Sequence, residues 1–233
     1  MKSIKVLIII TFSFLFTNTK AQSIKVFQKE IKAEDSIQKI MQQEKVVGFS
    51  VAVVKNNKKG IEKTINEIIF PYLERVGILW VTNHINPAQE HLATNIVRQK
   101  IILGIERLTP LLTYTKRIVL FLPEGEYHEL GLLYVHFLLK QKGIYVDYLG
   151  TNVPMVDLKY LTEYKKVDYL YCHITMPARN FKLDKFFSNL ATINQQIPII
   201  LSGQLIQEYK GKISPNIHLK RSLSETIAFL QEI

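Results

Sequence analysis

Residues 117–150 read RIVLFLPEGEYHELGLLYVHFLLKQKGIYVDYLG. Arg117 to Leu122 is an apolar run of strand length, and a helical pattern follows at about 129–141. A second strand-like run, Tyr145 to Leu149, comes next. The alternation continues along the chain. Val167 to Cys172, Ile197 to Leu201 and Ile217 to Leu219 are strand-like, with helical patterns at about 155–165, 182–195, 204–210 and 223–232. Five strands alternating with five helices predict an α/β domain over residues 115–233: a doubly wound, flavodoxin-like (Rossmann-like) five-stranded parallel sheet. In that strand order a ligand belongs at the carboxyl ends of the first and third strands.

Towards the N-terminus the texture changes. Ile61, Ile65, Ile68, Tyr72, Val76 and Leu79 recur at helical spacing and predict an amphipathic helix over Ile61 to Trp80, bent by Pro71. After a turn at Thr82 to Ile85, Asn86-Pro87-Ala88-Gln89 offers a capping residue, a proline at the first helical position and a Gln three residues on. That start predicts a second helix running to about Leu112 and an antiparallel helical hairpin over 61–114.

Residues 1–21 have the layout of a secretory signal peptide. A basic start precedes the apolar run Val6 to Phe16, and Thr19-Lys20-Ala21 is a cleavage-like site. The run is short of the about 20 residues a membrane-spanning helix needs, so the mature chain is expected to hold no membrane span. The same run also reads as a buried strand. Residues 22–60 form a separate segment with a helical stretch, Ala33 to Gln43, and a strand, Val46 to Val54. Residues 37–60, IQKIMQQEKVVGFSVAVVKNNKKG, resemble the opening of a serine β-lactamase-related hydrolase, but the chain has no Ser-x-x-Lys nucleophile motif.

The whole chain of 233 residues is 47% hydrophobic and 21% charged, which excludes disorder and collagen-like repeats. One cysteine excludes an internal disulfide framework and a cysteine-rich zinc site. The net charge of +10 is spread without a dense basic run, so charge alone does not argue for nucleic acid.

The chemistry falls in the loop after the first strand of the α/β region. Glu126-Tyr127-His128-Glu129-Leu130-Gly131 offers an imidazole able to ligate a transition metal, a carboxylate to fix its tautomer, and a glycine that lets a bulky planar ligand approach the backbone. His84, His136, His173 and His218 have no partner at metal-ligand spacing, and packing or surface roles are expected for them.

This loop resembles the cobalamin-binding domain shared by methionine synthase, methylmalonyl-CoA mutase and the corrinoid methyltransferases. Their pattern is Asp/Glu-x-His-x-x-Gly, then Ser-x-Leu, then Gly-Gly. Here forty residues separate Gly131 from Cys172-His173-Ile174, and twenty-seven more lead to Ser202-Gly203, with Cys172 in place of the serine and Ser202 in place of the first glycine. The resemblance implies that His128 is the lower cobalt ligand and that Glu126 orients it. It also implies that the cobalamin tail threads near Cys172 and Gly203.

Trp80, nine residues, Glu90-His91 is similar to the W-x9-EH motif of the helical cap in light-responsive MerR-type regulators of the CarH/LitR kind. The wider strings at 70–100 and 121–143 resemble the sensor portion of those regulators. In that family the tryptophan covers the upper face of cobalamin and the Glu-His pair contacts the upper ligand. A histidine follows the tryptophan in light-sensing relatives; Val81 stands there in this chain. The family cap is a four-helix bundle, of which only two helices are recognisable here.

The resemblance implies an adenosyl- or methylcobalamin-binding sensor module, not a self-sufficient enzyme, that works as a homo-oligomer. DNA is a partner in the parent family, but residues 1–60 hold no recognition helix or basic wing, and DNA binding is not expected of this chain alone. The enzyme-class alternative is a corrinoid carrier subunit of a cobalamin-dependent methyltransferase or mutase. Family resemblance points to the cytoplasm, and the signal-like start to export.

Overall fold

The computed structural model describes residues 8–11, 50–53, 62–82, 84–109 and 116–233. The chain divides into two compact units, residues 1–100 and 101–233. In the first, β1 (Ile8–Thr11) pairs antiparallel with β2 (Ser50–Val53), Ile9 opposite Ala52. Thus a strand lies inside the apolar run of the signal-like segment. The expected helix Ala33 to Gln43, the turn at 55–60 and most of the β-lactamase-like stretch lie outside the described residues.

The predicted helix over Ile61 to Trp80 forms as a π turn, Ile65–Ile69, leading into α1 (Phe70–Val81). Proline at 71 has no N–H and its ring crowds the carbonyl four residues back. The wider turn absorbs this: the Phe70 N–H donates to the Ile65 carbonyl, five residues away. Ile65 and Val76 of the predicted stripe are buried, while Ile78 and Leu92 stay exposed.

α2 spans Pro87–Glu106 and opens with the predicted capping box. The Gln89 N–H donates to Asn86 Oδ1 at 2.9 Å and the Asn86 N–H to Gln89 Oε1 at 3.0 Å. The helix stops before the expected Leu112. The Leu108 N–H donates to the Ile105 carbonyl, tightening the last turn, and Thr109 precedes Pro110, a position biased away from helix.

The second unit holds the predicted sheet. Its strands are β3 (Arg117–Pro123), β4 (Tyr145–Val153), β5 (Tyr169–His173), β6 (Ile199–Ser202) and β7 (Ile217–Leu219). They are all parallel, in the order β4-β3-β5-β6-β7. Between them run α3 (Leu130–Gln141), α4 (Met155–Tyr164), α5 (Leu183–Ala191), α6 (Gln204–Gln207) and α7 (Leu223–Glu232). This is the predicted doubly wound α/β architecture.

Strand alternation sorts the core into two layers. Val119, Phe121, Leu170, Cys172, Ile199 and Leu201 pack with Leu158 of α4 and Phe186, Phe187 and Leu190 of α5. Ile118, Leu120 and Leu122 are equally buried and point to the opposite face. On that side Phe229 of α7 meets Tyr169 edge-on at 5.6 Å, and Lys142 at the end of α3 donates to the Leu230 carbonyl. Each such buried aliphatic or aromatic side chain contributes roughly 1.5–3 kcal/mol.

Two differences from the predicted strands bear on the site. β4 continues beyond the expected Leu149 because Gly150 (φ 81°) and Asn152 (φ 57°) take left-handed backbone, and register shifts opposite Leu120–Pro123 keep the strand along β3. β5 runs one residue past Cys172 and so includes His173.

Candidate functional site

The loop leaving β3 turns at once, with the Glu126 N–H donating to the Pro123 carbonyl at 2.9 Å. Two neighbouring segments hold it. Asn152 Oδ1 accepts from the Gly125 N–H at 2.9 Å, and the Asn152 N–H donates to the Glu126 carbonyl at 3.2 Å. From the loop after β5, the Ala178 N–H donates to the Gly125 carbonyl. Asn152 does this from a left-handed conformation that asparagine tolerates better than most residues. Nothing in the local sequence pattern singles Asn152 out, because its role depends on β4 lying beside β3.

Inside this frame the Glu126 side chain is 0% exposed. Its Oε1 accepts from the backbone N–H groups of Tyr127 and His128, both at 2.9 Å, and from His128 Nδ1 at 2.7 Å. Its Oε2 accepts from the N–H groups of Thr175 and Met176, both at 2.8 Å. Burial by itself would push the carboxyl pKa up. The hydrogen bonds from the His128 ring and backbone and from Thr175, with the nearby His128 charge, outweigh burial and hold it at about 2. The carboxylate is therefore ionised at neutral pH, and the His128 proton sits on Nδ1, facing it. The His128 side chain is 51% exposed. With Nδ1 given to Glu126, the nitrogen of this ring suited to a metal is Nε2.

Gly131, in the first turn of α3, lies against the imidazole of His173. A Cβ built on Gly131 would stand 2.4 Å from His173 Nε2 and 2.7 Å from its Cδ2. His173 Nδ1 is 2.8 Å from Ser202 Oγ, which is 2.6 Å from the Tyr171 hydroxyl. Burial pushes the imidazole pKa down to about 4, against the pull of the Glu126 carboxylate, so the ring is neutral at pH 7.

Ser202 Oγ thus faces the same side of the sheet as His173, whereas Cys172 points the other way. Its side chain is buried among Val119, Leu170 and Leu201, and burial pushes the thiol well up, out of the reactive range. The expectation that Cys172 borders a tail pocket is corrected: period-two alternation turns His173, not Cys172, towards Gly131 and Ser202. The expectation for Gly203 also changes. Its φ is 105°, and a Cβ there would lie 2.3 Å from the Ile174 carbonyl oxygen, so the space is taken by the chain's own backbone. His136, expected to pack, stacks on Tyr148 with ring centroids 5.2 Å apart.

The remaining site candidates belong to the helical unit. Trp80, 41% exposed, lines an open cleft of about 450 Å³ with His84, Ile85, Asn86, Pro87 and Gln89. Glu90 and His91 are not among its lining residues. They pair with each other, His91 Nδ1 standing 3.0 Å from Glu90 Oε2, and Thr94 donates to Glu90 Oε1 at 2.6 Å. Among the described residues, no group of three or more His, Cys, Asp or Glu side chains could hold a metal ion, and no helix is long and apolar enough to cross a membrane.

Comparison with known proteins bears on the ligand of this site. Residues 29–103 match the family described as B12 binding domain, a match that begins inside the 22–60 segment. The HTH-type transcriptional repressor CarH of Myxococcus xanthus is 34% identical over 96 residues, 41% of this chain and 31% of the repressor. The repressor CarA of the same organism is 31% identical over 99 residues, 42% of this chain and 32% of its own length. The chain thus spans about a third of the curated relatives it matches. Among solved structures, the monomethylamine corrinoid protein of Methanosarcina barkeri superposes with a TM-score of 0.56 at 15% identity, covering 73% of this chain and 83% of that protein. It shares the fold. The match to the B12 binding domain supports cobalamin as the cofactor.

Proposed function

We propose that the chain is a cobalamin-binding sensor module in which His128 takes the lower axial position on cobalt through Nε2. The observation that carries this reading is the Glu126–His128 pair: a fully buried, ionised carboxylate that accepts from four backbone N–H groups directs the half-exposed imidazole. Such a partner fixes the tautomer and raises the basicity of a metal-ligating histidine. The residues present fit the cofactor at this atom, since a half-exposed imidazole whose Nδ1 is held by a carboxylate would offer Nε2 to cobalt. The bound cofactor would contribute a cobalt–carbon bond that light or a reactant can break. The protein's part is to hold Nε2 in place and keep the Nδ1 proton on the Glu126 side.

Trp80, Glu90 and His91 are assigned to the upper axial ligand on their similarity to the regulators' motif. Change of subunit assembly is the output proposed, and no residue of this chain is given a DNA contact. A corrinoid carrier for a methyltransferase or mutase is the second reading. It is favoured by one observation, that the α/β unit alone holds the complete Glu126–His128 assembly.

The visible spectrum of the full chain mixed with adenosylcobalamin in the dark, beside His128→Ala, tests the site. A base-off, histidine-ligated spectrum that is lost in His128→Ala supports it; a free-cobalamin spectrum in both proteins refutes it. Green light then separates the two readings, because a spectral change with altered assembly belongs to a sensor. Dark-stable binding of methylcobalamin with methyl transfer to an acceptor belongs to a carrier.

A further inference from the structure

The ring of His173 occupies the space beside the metal-binding loop. Gly131 is three residues from His128, and the absence of a side chain there leaves a slot between α3 and the sheet. The His173 imidazole fills that slot so closely that a methyl group on Gly131 would overlap Nε2, Cδ2 and Cε1. The residue as a whole is only partly buried. It is anchored behind by Ser202 Oγ at 2.8 Å, itself buried and bound to the buried Tyr171 hydroxyl. A flat heteroaromatic ring of modest thickness already fits the slot; a larger one does not fit while His173 stays.

We propose that His173 is a specificity-determining residue that selects among corrinoids by their lower tail. The inference rests on the proposed function, in which His128 displaces the cofactor's own lower base. A displaced base must be housed beside His128 or left in solvent, and His173 occupies the slot nearest that loop. The chain in its native form therefore accepts a corrinoid without a nucleotide tail at least as readily as one that carries it. Removing the ring opens the slot and reverses that preference. Neither Cys172 nor Gly203 offers comparable room, since one faces the opposite core and the other abuts the Ile174 carbonyl.

The test is a pair of titrations, cobinamide and hydroxocobalamin, followed in the visible spectrum against the full chain, His173→Ala, His173→Gln and His128→Ala. The glutamine variant keeps an amide for Ser202 while removing the ring, so a result is available even if the alanine variant does not fold. For the wild type the expected Kd for cobinamide is equal to or below that for cobalamin. In both His173 variants the ratio of the two Kd values is expected to move about tenfold towards cobalamin, the discrimination one misfitting group typically gives. A ratio unchanged within twofold in both variants overturns the proposal. Wild type indistinguishable from His128→Ala with both corrinoids overturns the proposed function and takes this inference with it, an outcome separable from the first because no His128-dependent binding exists at all.

Discussion

His128 Nδ1 stands 2.7 Å from Glu126 Oε1, and four backbone N–H groups complete the shell of that carboxylate. Two of the four come from Thr175 and Met176, far along the sequence. The imidazole is therefore positioned by long-range contacts of the α/β unit as well as by its own loop.

Glu126 should make stability depend on acid. Its carboxyl titrates at about 2 in the folded protein against an ordinary 4.5, so its contribution is complete above pH 4.5 and disappears as pH falls towards 2. The full difference corresponds to roughly 3 kcal/mol. Glu126→Gln presents one acceptor oxygen and an NH2 group to a ring of donors, and should lose about that amount at pH 7. Urea unfolding from pH 2 to 7 checks both statements. An acid slope in the variant as steep as in the wild type would rule them out.

Asn152 combines a left-handed backbone with a hydrogen bond to the Gly125 N–H. Asn152→Ala should lose both the bond and the local tolerance of that conformation, about 2 kcal/mol together. Asn152→Gly loses only the bond, so it should be the milder substitution by about 1 kcal/mol. The order of the two denaturation midpoints decides the matter, and the reverse order would mean that backbone conformation is not what asparagine supplies.

Gly203→Ala should be among the most damaging single-methyl changes in the α/β unit. The new Cβ would need a positive φ and would lie 2.3 Å from the Ile174 carbonyl oxygen, which itself accepts from the Leu205 N–H. A loss of at least about 2 kcal/mol is expected, read as a lowered Tm. A Tm within a degree or so of wild type would show that the β6–α6 turn shifts freely.

The helical unit carries its own reporter. Trp80 is the chain's single tryptophan and shares a cleft with Asn86. Asn86→Ala removes the acceptor for the Gln89 N–H and should cost about 1 kcal/mol, with a change in tryptophan emission as the elbow loosens. Equal stability and an unchanged emission spectrum would argue against the capping box as the element that sets the elbow.

Much of the architecture could be read from local pattern. The capping box Asn86–Gln89 involves only residues three apart, so its bonds are determined where the sequence is written. The run 117–122 is as visible in the chain as in the sheet, because a strand buried on both faces needs no partner to reveal it. Elements ended by long-range pairing were less legible. β4 outlasts the turn-like Gly150 because β3 continues to pair with it.

For the site, the sequence by itself determined that Glu126 and His128 share one loop and that Gly131 and Ser202 lie at strand–helix junctions, since alternation of strands and helices brings those junctions to one edge of the sheet. Only the tertiary structure decided which residue faces Gly131. Cys172 and His173 differ by a single step along β5, and a step of one reverses the face of the sheet. The phase that sends Cys172 into the core and His173 over Gly131 is set by the pairing of β5 with β3 and β6, Cys172 opposite Phe121 and His173 opposite Ser202. The same long-range closure brings the Thr175 and Met176 amides onto Glu126 and turns a loop carboxylate into a buried anion.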